Sequence, residues 1–544
     1  MFVWAPNGVE RTVGAGVFKV LGILLLGAVV VALLLPREPN IPYDHVWVWT
    51  GFGGFAALWA LVVVVRPRLR SSRVWRTLAR RGSWVAWTVT VLGTAACLVV
   101  ALNLVYPVGW DAHGMSNLGS RLATGPAPLF YYRYLSRYPN QIPFAAVSRA
   151  SWELRGVLGW DQRTVFAVVN ALCVGVSLQS TYVVVHRLRG VAAGVAAQLA
   201  VVALVALSPW VTVPYTDVVT LPWPILATAL ALTAVRRTSR TATILLAGGA
   251  LLALSVGFIL KTTPVATMAG VVALGGVVLV ASLRQPRRAA AVAVVLLVST
   301  GVFLGMSWGV RAVLSDASGL DLARVDTSRT PPLAWWVAMG MTPTHGNTTR
   351  YGAYNAAMVG STAHLDHAEL VSWSNRALDQ RLHALGPSGY ATFAANKLTW
   401  NLGDGMFWAW GEGRDASTVV PRHGPLTPWI VSWSHPRGEY YAVRAGLTQG
   451  LWLVVLTAAG VGLLVRPYRR DVALVVASVA AIILFTLVLQ GRSRYLLVYV
   501  PVFVALAAAV APVGLASAAP MRQRALGGVG VSRLRSRPTG RARP

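Results

Sequence analysis

The chain has 544 residues, 55% hydrophobic and only 12% charged, where a soluble globular chain carries about 25% charged residues. A mean hydropathy of +0.58 over that length excludes a single soluble domain and a disordered chain. The net charge of +30 comes from 48 Lys and Arg against 18 Asp and Glu; the arginines cluster between apolar runs, which is a membrane-topology pattern and not a nucleic-acid-binding stripe.

In chain order, twelve apolar runs are predicted to span a membrane as helices, which makes the fold class an all-α polytopic membrane protein. They cover 13–35, 46–65, 84–104, 165–185, 191–207, 218–235, 244–260, 265–283, 289–308, 445–465, 472–489 and 496–515. The first is too long for the apolar core of a signal peptide and reads as an anchor. Every even connection is basic. Arginines cluster from Arg66 to Arg81, at Arg187 and Arg189, at Arg236, Arg237 and Arg240, at Arg284, Arg287 and Arg288, at Arg466, Arg469 and Arg470, and in the tail. By the positive-inside rule these connections and both termini are cytoplasmic, in a multi-pass protein of the cell membrane. The chain then divides into two N-terminal helices with a basic loop (1–83), a transmembrane core (84–309) that includes a first long outer loop (106–164), a large outer region (310–444), C-terminal helices (445–520) and a basic disordered tail (521–544) beside the anionic inner leaflet. Both outer stretches are rich in Trp, Tyr, His and Gly and are expected to fold as lids over a site at the outer face. No phosphate loop, HExxH or GxSxG occurs, and Cys97 and Cys173, both inside apolar runs, give neither a disulfide framework nor zinc spacing.

The residues that break the charge rule carry the chemical signal. Lys261 lies in one very short outer connection, and Arg492 and Arg494 lie in another. Charge beside lipid is costly and calls for a partner. A phosphate suits an Arg fork and a Lys point charge; the alternative is snorkelling to head groups. Asp111 opens the first long loop ahead of Met115, Leu118 and Leu122, which share one helical face. It is either the N-cap of that helix or a general base at the cavity rim. Asp217, in a short connection on the same side, is either a cap or a carboxylate that orients an acceptor. His113 and His345 are candidate cavity-lining residues, and Tyr138-Pro139-Asn140 and Gly352-Ala353-Tyr354-Asn355 read as rigid turns of the two lids. Asp404 and Glu412 lie in a Trp- and Gly-rich stretch suited either to a sugar ring or to an interfacial aromatic belt.

With these residues in order, the chain resembles the polyprenyl-phosphate-dependent glycosyltransferases of the GT-C superfamily, in particular the protein-mannosyltransferase and aminoarabinose-transferase group. The resemblance runs from about Trp84 to Leu515. It rests on Asp111 with the later Ser120-Arg121-Leu122-Ala123-Thr124-Gly125, on Arg137-Tyr138-Pro139-Asn140, on Tyr215-Thr216-Asp217, on Gly352-Ala353-Tyr354-Asn355 and on Arg492-Ser493-Arg494-Tyr495. Two features depart from the family pattern: Ala112 follows Asp111 where paired acids are usual, and the first two spans are extra. The resemblance implies a GT-C-like fold and transfer of a sugar from a polyprenyl-phosphate donor to a glycan, protein or glycolipid acceptor at the extracytoplasmic face. Asp111 would act as base, with Asp217 beside it. Arg494, Arg492 and Lys261 would hold the leaving phosphate, and His113, Tyr138, Asn140, His345 and Tyr354 would line the substrate path. No cofactor is required and no nucleic acid is involved; a divalent cation between Asp111 and Asp217 stays open. The competing classes are a flippase or transporter of lipid-linked saccharides, for which no internal repeat is visible, and a non-catalytic subunit of an envelope-synthesis complex.

Overall fold

Lipid offers no hydrogen-bond partner to a peptide group, so an apolar run closes its own bonds as a helix. The structure, a computed structural model, describes residues 7–35, 43–71, 80–104, 109–345, 349–411 and 424–512; the expected basic tail 521–544 and Glu412 lie outside them. The chain builds α1 (Gly8–Leu34), α2 (His45–Ser71), α3 (Gly82–Asn103), α4 (Trp110–Thr124), α5 (Leu129–Arg137), α6 (Ile142–Leu158) and α7 (Gln162–Arg189). Next come α8 (Val191–Val201), α9 (Thr216–Thr220), α10 (Pro222–Ala234), α11 (Arg240–Leu260), α12 (Val265–Ser282) and α13 (Pro286–Ala317). The rest is α14 (Leu333–Gly340), a two-residue antiparallel pair β1 (Pro343–Thr344) and β2 (Arg350–Tyr351), α15 (Ala356–Ser361), α16 (His367–Leu402), α17 (Thr427–Ser434), α18 (Tyr441–Val465), α19 (Ala473–Val488), α20 (Ser493–Leu497) and α21 (Val500–Val510).

Among the described residues, nine helices are long and apolar enough to cross a membrane. Three shorter apolar helices, Val191–Ala206, Ala473–Val488 and Val500–Val510, fall in the three remaining predicted spans. The shortest, α21, reaches only about 17 Å at 1.5 Å per residue, well below the roughly 30 Å of a hydrocarbon core. Its start is set by Pro501, which lacks an amide hydrogen and separates α21 from α20. Nearly every residue of α21 is buried, and it packs against α7, α8, α18 and α19, so it forms the centre of the bundle, apolar on all sides.

The arginine-rich connections meet at one end. Arg236 donates to the Arg187 carbonyl at 2.7 Å. Arg189 and Arg466 donate to the Ala511 carbonyl at 2.7 and 2.9 Å. Fully buried Glu10 accepts from Arg470 at 2.9 Å and lies 3.9 Å from Arg288. Helix α11 starts at Arg240 near this end and stops before Lys261, about 30 Å away by helix rise. Lys261 therefore stands at the opposite end.

That opposite end carries both predicted lids. Met115, Leu118 and Leu122 are buried as their spacing predicts, and α4 packs them against α6. The contact requires Gly119, where a Cβ would come within 2.3 Å of Ser148 Oγ. In the second lid, Asp366 and Glu369 form a reciprocal cap on α16. That helix kinks where Gly386 takes φ 60° ahead of Pro387. The expected boundary at residue 310 falls inside α13, whose last turns run past the apolar stretch to Ala317.

Candidate functional site

Between α8 and α9 the chain makes a π-helical turn at Val202–Ala206 and a 3₁₀ turn at Pro209–Thr212. Asn170 of α7 pins this connection by donating to the Val211 and Val213 carbonyls at 2.9 and 3.1 Å. The connection delivers Asp217, only 1% exposed, to the first turn of α9. A buried carboxylate must be paired, and here two cations converge on it. Arg494 Nε lies 3.1 Å from both oxygens and Nη2 lies 2.8 Å from Oδ2. Lys261 Nζ contacts Oδ1. The Arg494 guanidinium also lies 5.3 Å from the Trp210 and Tyr215 rings, and Lys261 faces Tyr495 at 5.3 Å. Two residues separated from Asp217 by 44 and 277 positions thus meet on one carboxylate.

Asp111 is not the helix cap that the sequence left open. Gly109 occupies that position, and Asp111 sits in the first turn of α4, exposed. Its Oδ1 accepts from the Tyr134 hydroxyl at 2.8 Å. Burial, then the neighbouring Asp111 carboxylate, push the Tyr134 phenol well above its ordinary value, which keeps Tyr134 a donor. Burial, and after it the Asp111 charge, also raise the phenols of Tyr138, Tyr215 and Tyr354.

A cavity of about 1300 Å³ joins these groups, with Asp111, Tyr138, Asn140, Lys261, Tyr354, Arg492 and Arg494 in its wall. Tyr215 is also part of that wall, and it feels Asp111 and Arg494 together. Among the described residues, eight of the lining side chains are Arg or Lys and Asp111 is the one carboxylate. Asp217 stands behind the wall, holding Arg494 and Lys261. Its expected catalytic place is therefore a buried one, with both oxygens in contact with cations. His113 and His345 are outside the lining: exposed His113 bonds to Asn117 at 3.0 Å, and exposed His345 lies 3.5 Å from the Thr349 hydroxyl. A divalent cation shared by Asp111 and Asp217 would have to displace Arg494 and Lys261. No group of three or more His, Cys, Asp and Glu residues able to hold a metal occurs among the described residues.

Two further residues support this wall: Lys397, which the charge rule did not single out, and Asp404, which the sequence marked only as part of a Trp- and Gly-rich stretch. Lys397, fully buried on α16, donates to the carbonyls of Gly340, Leu487 and Leu489 at 2.7, 2.9 and 2.6 Å. It ties the second lid to the end of α19, immediately before the connection that carries Arg492 and Arg494. Asp404, 1% exposed, accepts from Tyr43 Oη and Ser493 Oγ at 2.5 Å each, and from the Met406 and Trp408 amides at 3.1 and 2.7 Å. Around it Phe407, Trp408 and Trp410 take φ of 53°, 62° and 65°, a left-handed backbone that bulky residues adopt at a cost of about 1–3 kcal/mol each. Trp408 emerges in the cavity wall, with Arg350 and Arg492 at 5.0 and 5.9 Å from its ring. The signals were present in the sequence: Lys397 is one of three lysines in the chain, and Asp404 stands between two glycines.

The chain belongs to a family described as conserved hypothetical integral membrane protein, whose model matches residues 11–514. Comparison with curated proteins returns no match.

Proposed function

We propose that this integral membrane protein is a glycosyltransferase that moves a sugar from a polyprenyl-phosphate carrier to an acceptor at the extracytoplasmic face. One observation carries the reading: a single cavity, at the end of the bundle away from the basic connections, holds a carboxylate, Asp111, together with Lys261, Arg492 and Arg494. Arginine-rich connections face the cytoplasm by the positive-inside rule, which turns the cavity outward.

In this mechanism Asp111 accepts the proton of an acceptor hydroxyl or amine as that group attacks the anomeric carbon. The bond from the anomeric carbon to the phosphate oxygen breaks, and its electron pair leaves with the lipid phosphate. Arg492 and Arg494 supply planar forks and Lys261 a point charge to the growing negative charge. Asp217 is a positioning residue. It offsets part of the charge of Arg494 and Lys261 and fixes both side chains before the substrate arrives, so little reorganisation is left for the reaction. Tyr134 orients Asp111 through its hydrogen bond. The lid residues Tyr138, Asn140 and Tyr354 bound the space over the sugar. No step is routed through a metal.

The test is incubation of purified protein with a panel of polyprenyl-phosphate sugars and a membrane-extract acceptor fraction, reading release of free lipid phosphate. Release that depends on Asp111 and Arg494 supports the reading. Movement of intact donor between the leaflets of a proteoliposome, without release, would replace it with the flippase reading.

A further inference from the structure

The cavity holds more positive charge than one leaving phosphate requires. Lys261, Arg492 and Arg494, less the Asp217 carboxylate, already match a phosphate of one to two charges. Five more lining residues are arginines: Arg133, Arg137, Arg311, Arg329 and Arg350. Two of the five have wall-building contacts. Arg137 donates to the Thr362 carbonyl and hydroxyl at 3.0 and 2.7 Å, neutral acceptors that leave its charge in place, and Arg350 lies over Trp408 at 5.0 Å. The other three sit toward the mouth. Arg133 on α5 and Arg311 on the last turns of α13 are exposed. Arg329 is 60% exposed and bonds to Asp326 at 3.1 Å.

The turn of Arg329 and the helix of Arg133 are tied to each other. The Asp326 amide donates to Ser136 Oγ at 2.9 Å, and Thr330 Oγ1 donates to the Ser136 carbonyl at 3.2 Å, so the turn that bears Arg329 is fastened to the helix that bears Arg133. Arg311 stands beyond the apolar part of α13, which packs on α6. Even with Asp217 and Asp326 included, three carboxylates oppose eight cations among the described residues. Like charges gathered in a concave, low-dielectric wall repel one another, and they focus a field that draws an anion in. Between mouth and clamp the wall is aromatic: Tyr131, Tyr138, Trp336 and Tyr354 line it, with the Tyr138 and Trp336 rings 6.2 Å apart. Ring faces suit the C–H faces of sugars, and guanidinium forks suit carboxylate or phosphate.

We infer that the acceptor is an anionic saccharide, bearing carboxylate or phosphate groups, and that Arg133, Arg311 and Arg329 bind its charge at the cavity mouth. That the ligand is the acceptor rests on the transferase reading; the anionic site itself does not. Purified full-length protein in phosphatidylcholine nanodiscs is titrated with tetragalacturonate and, as the neutral control of equal length, maltotetraose. Tetragalacturonate binds at least about tenfold tighter, an increment that one charge-assisted contact supplies, and its affinity falls with added salt. The Arg133→Gln, Arg311→Gln double variant loses that preference and the corresponding Lys variant recovers part of it, while undecaprenyl phosphate binds the double variant as it binds the wild type.

Equal binding of the two saccharides overturns the inference, as does a double variant that keeps the preference. Nanodiscs with phosphatidylglycerol separate the sources of the anion. Loss of tetragalacturonate binding in them makes the rim a lipid head-group site and also overturns the inference; retained binding supports a saccharide. The two readings fail separately. A preference for tetragalacturonate without lipid-phosphate release from any donor sinks the transferase and leaves the anionic site. Phosphate release without the preference does the reverse.

Discussion

Asp111 and Asp217 both lie in the first turn of a helix, yet their surroundings assign them different work. Asp111 faces the cavity with one hydrogen bond, from Tyr134 at 2.8 Å. Asp111→Asn keeps size and polarity and removes the basic oxygen. Transfer is expected to fall by about 10²-fold or more, the usual scale of general-base loss, with donor binding retained; wild-type turnover would remove the base from the mechanism. Asp217 is 1% exposed and shared by Arg494 and Lys261. Asp217→Asn strands two cations at the wall, and breaking a buried pair costs about 3–5 kcal/mol. A marked drop in melting midpoint is expected along with lost donor binding, unlike Asp111→Asn, which leaves the midpoint near wild type. Lys397 adds a pH test. Burial pulls its ammonium down to about 7, against about 10.4 in an unfolded chain. Between those values the unfolded chain holds the extra proton, so this group makes stability rise with pH from about 7 toward about 10. Melting midpoints from pH 6 to 10 should show that rise in wild type and lack it in Lys397→Met; parallel curves would reject the assignment.

At the scale of elements, the connection Gln490–Tyr495 works because neighbours hold both of its ends. Lys397 fixes the last carbonyls of α19, and Asp404 holds Ser493 between the two arginines. Ser493→Ala removes a 2.5 Å bond from a buried carboxylate. A loss of about 1 kcal/mol is expected, together with weaker polyprenyl-phosphate binding measured by titration, because Arg492 and Arg494 flank the freed residue. Unchanged donor affinity would show that the connection is rigid without Asp404. The apolar runs that became helices were legible because lipid leaves a chain no other way to satisfy its peptide groups. Arg492, Arg494 and Lys261 were legible as violations of the charge rule. The pairing with Asp217 was not, since it joins residues 44 and 277 positions apart and leaves no local pattern. The shortness of α21 was hidden too: hydropathy measures how apolar a run is, and a helix buried inside a bundle is as apolar as one that faces lipid.

At the scale of the whole molecule, the proposed chemistry depends on which way the bundle faces. Glu10, Arg288 and Arg470 gather at one end, as do Arg187 and Arg236; the cavity with Asp111 opens at the other. A charge bias of this kind sets orientation through short connections, and all of these arginines lie in short connections or in the helix turns that adjoin them. Asn140 and Ser361 are exposed on the two lids, and Thr238 is exposed between α10 and α11. In a background with Cys97 and Cys173 replaced by Ala, a cysteine at Asn140 or Ser361 is expected to react with a membrane-impermeant maleimide on intact cells, whereas one at Thr238 reacts only after permeabilisation. The reverse pattern would place the cavity in the cytoplasm. A lipid-linked donor in the outer leaflet could not reach it there, and the cations at Lys261, Arg492 and Arg494 would become ordinary members of the positive-inside set.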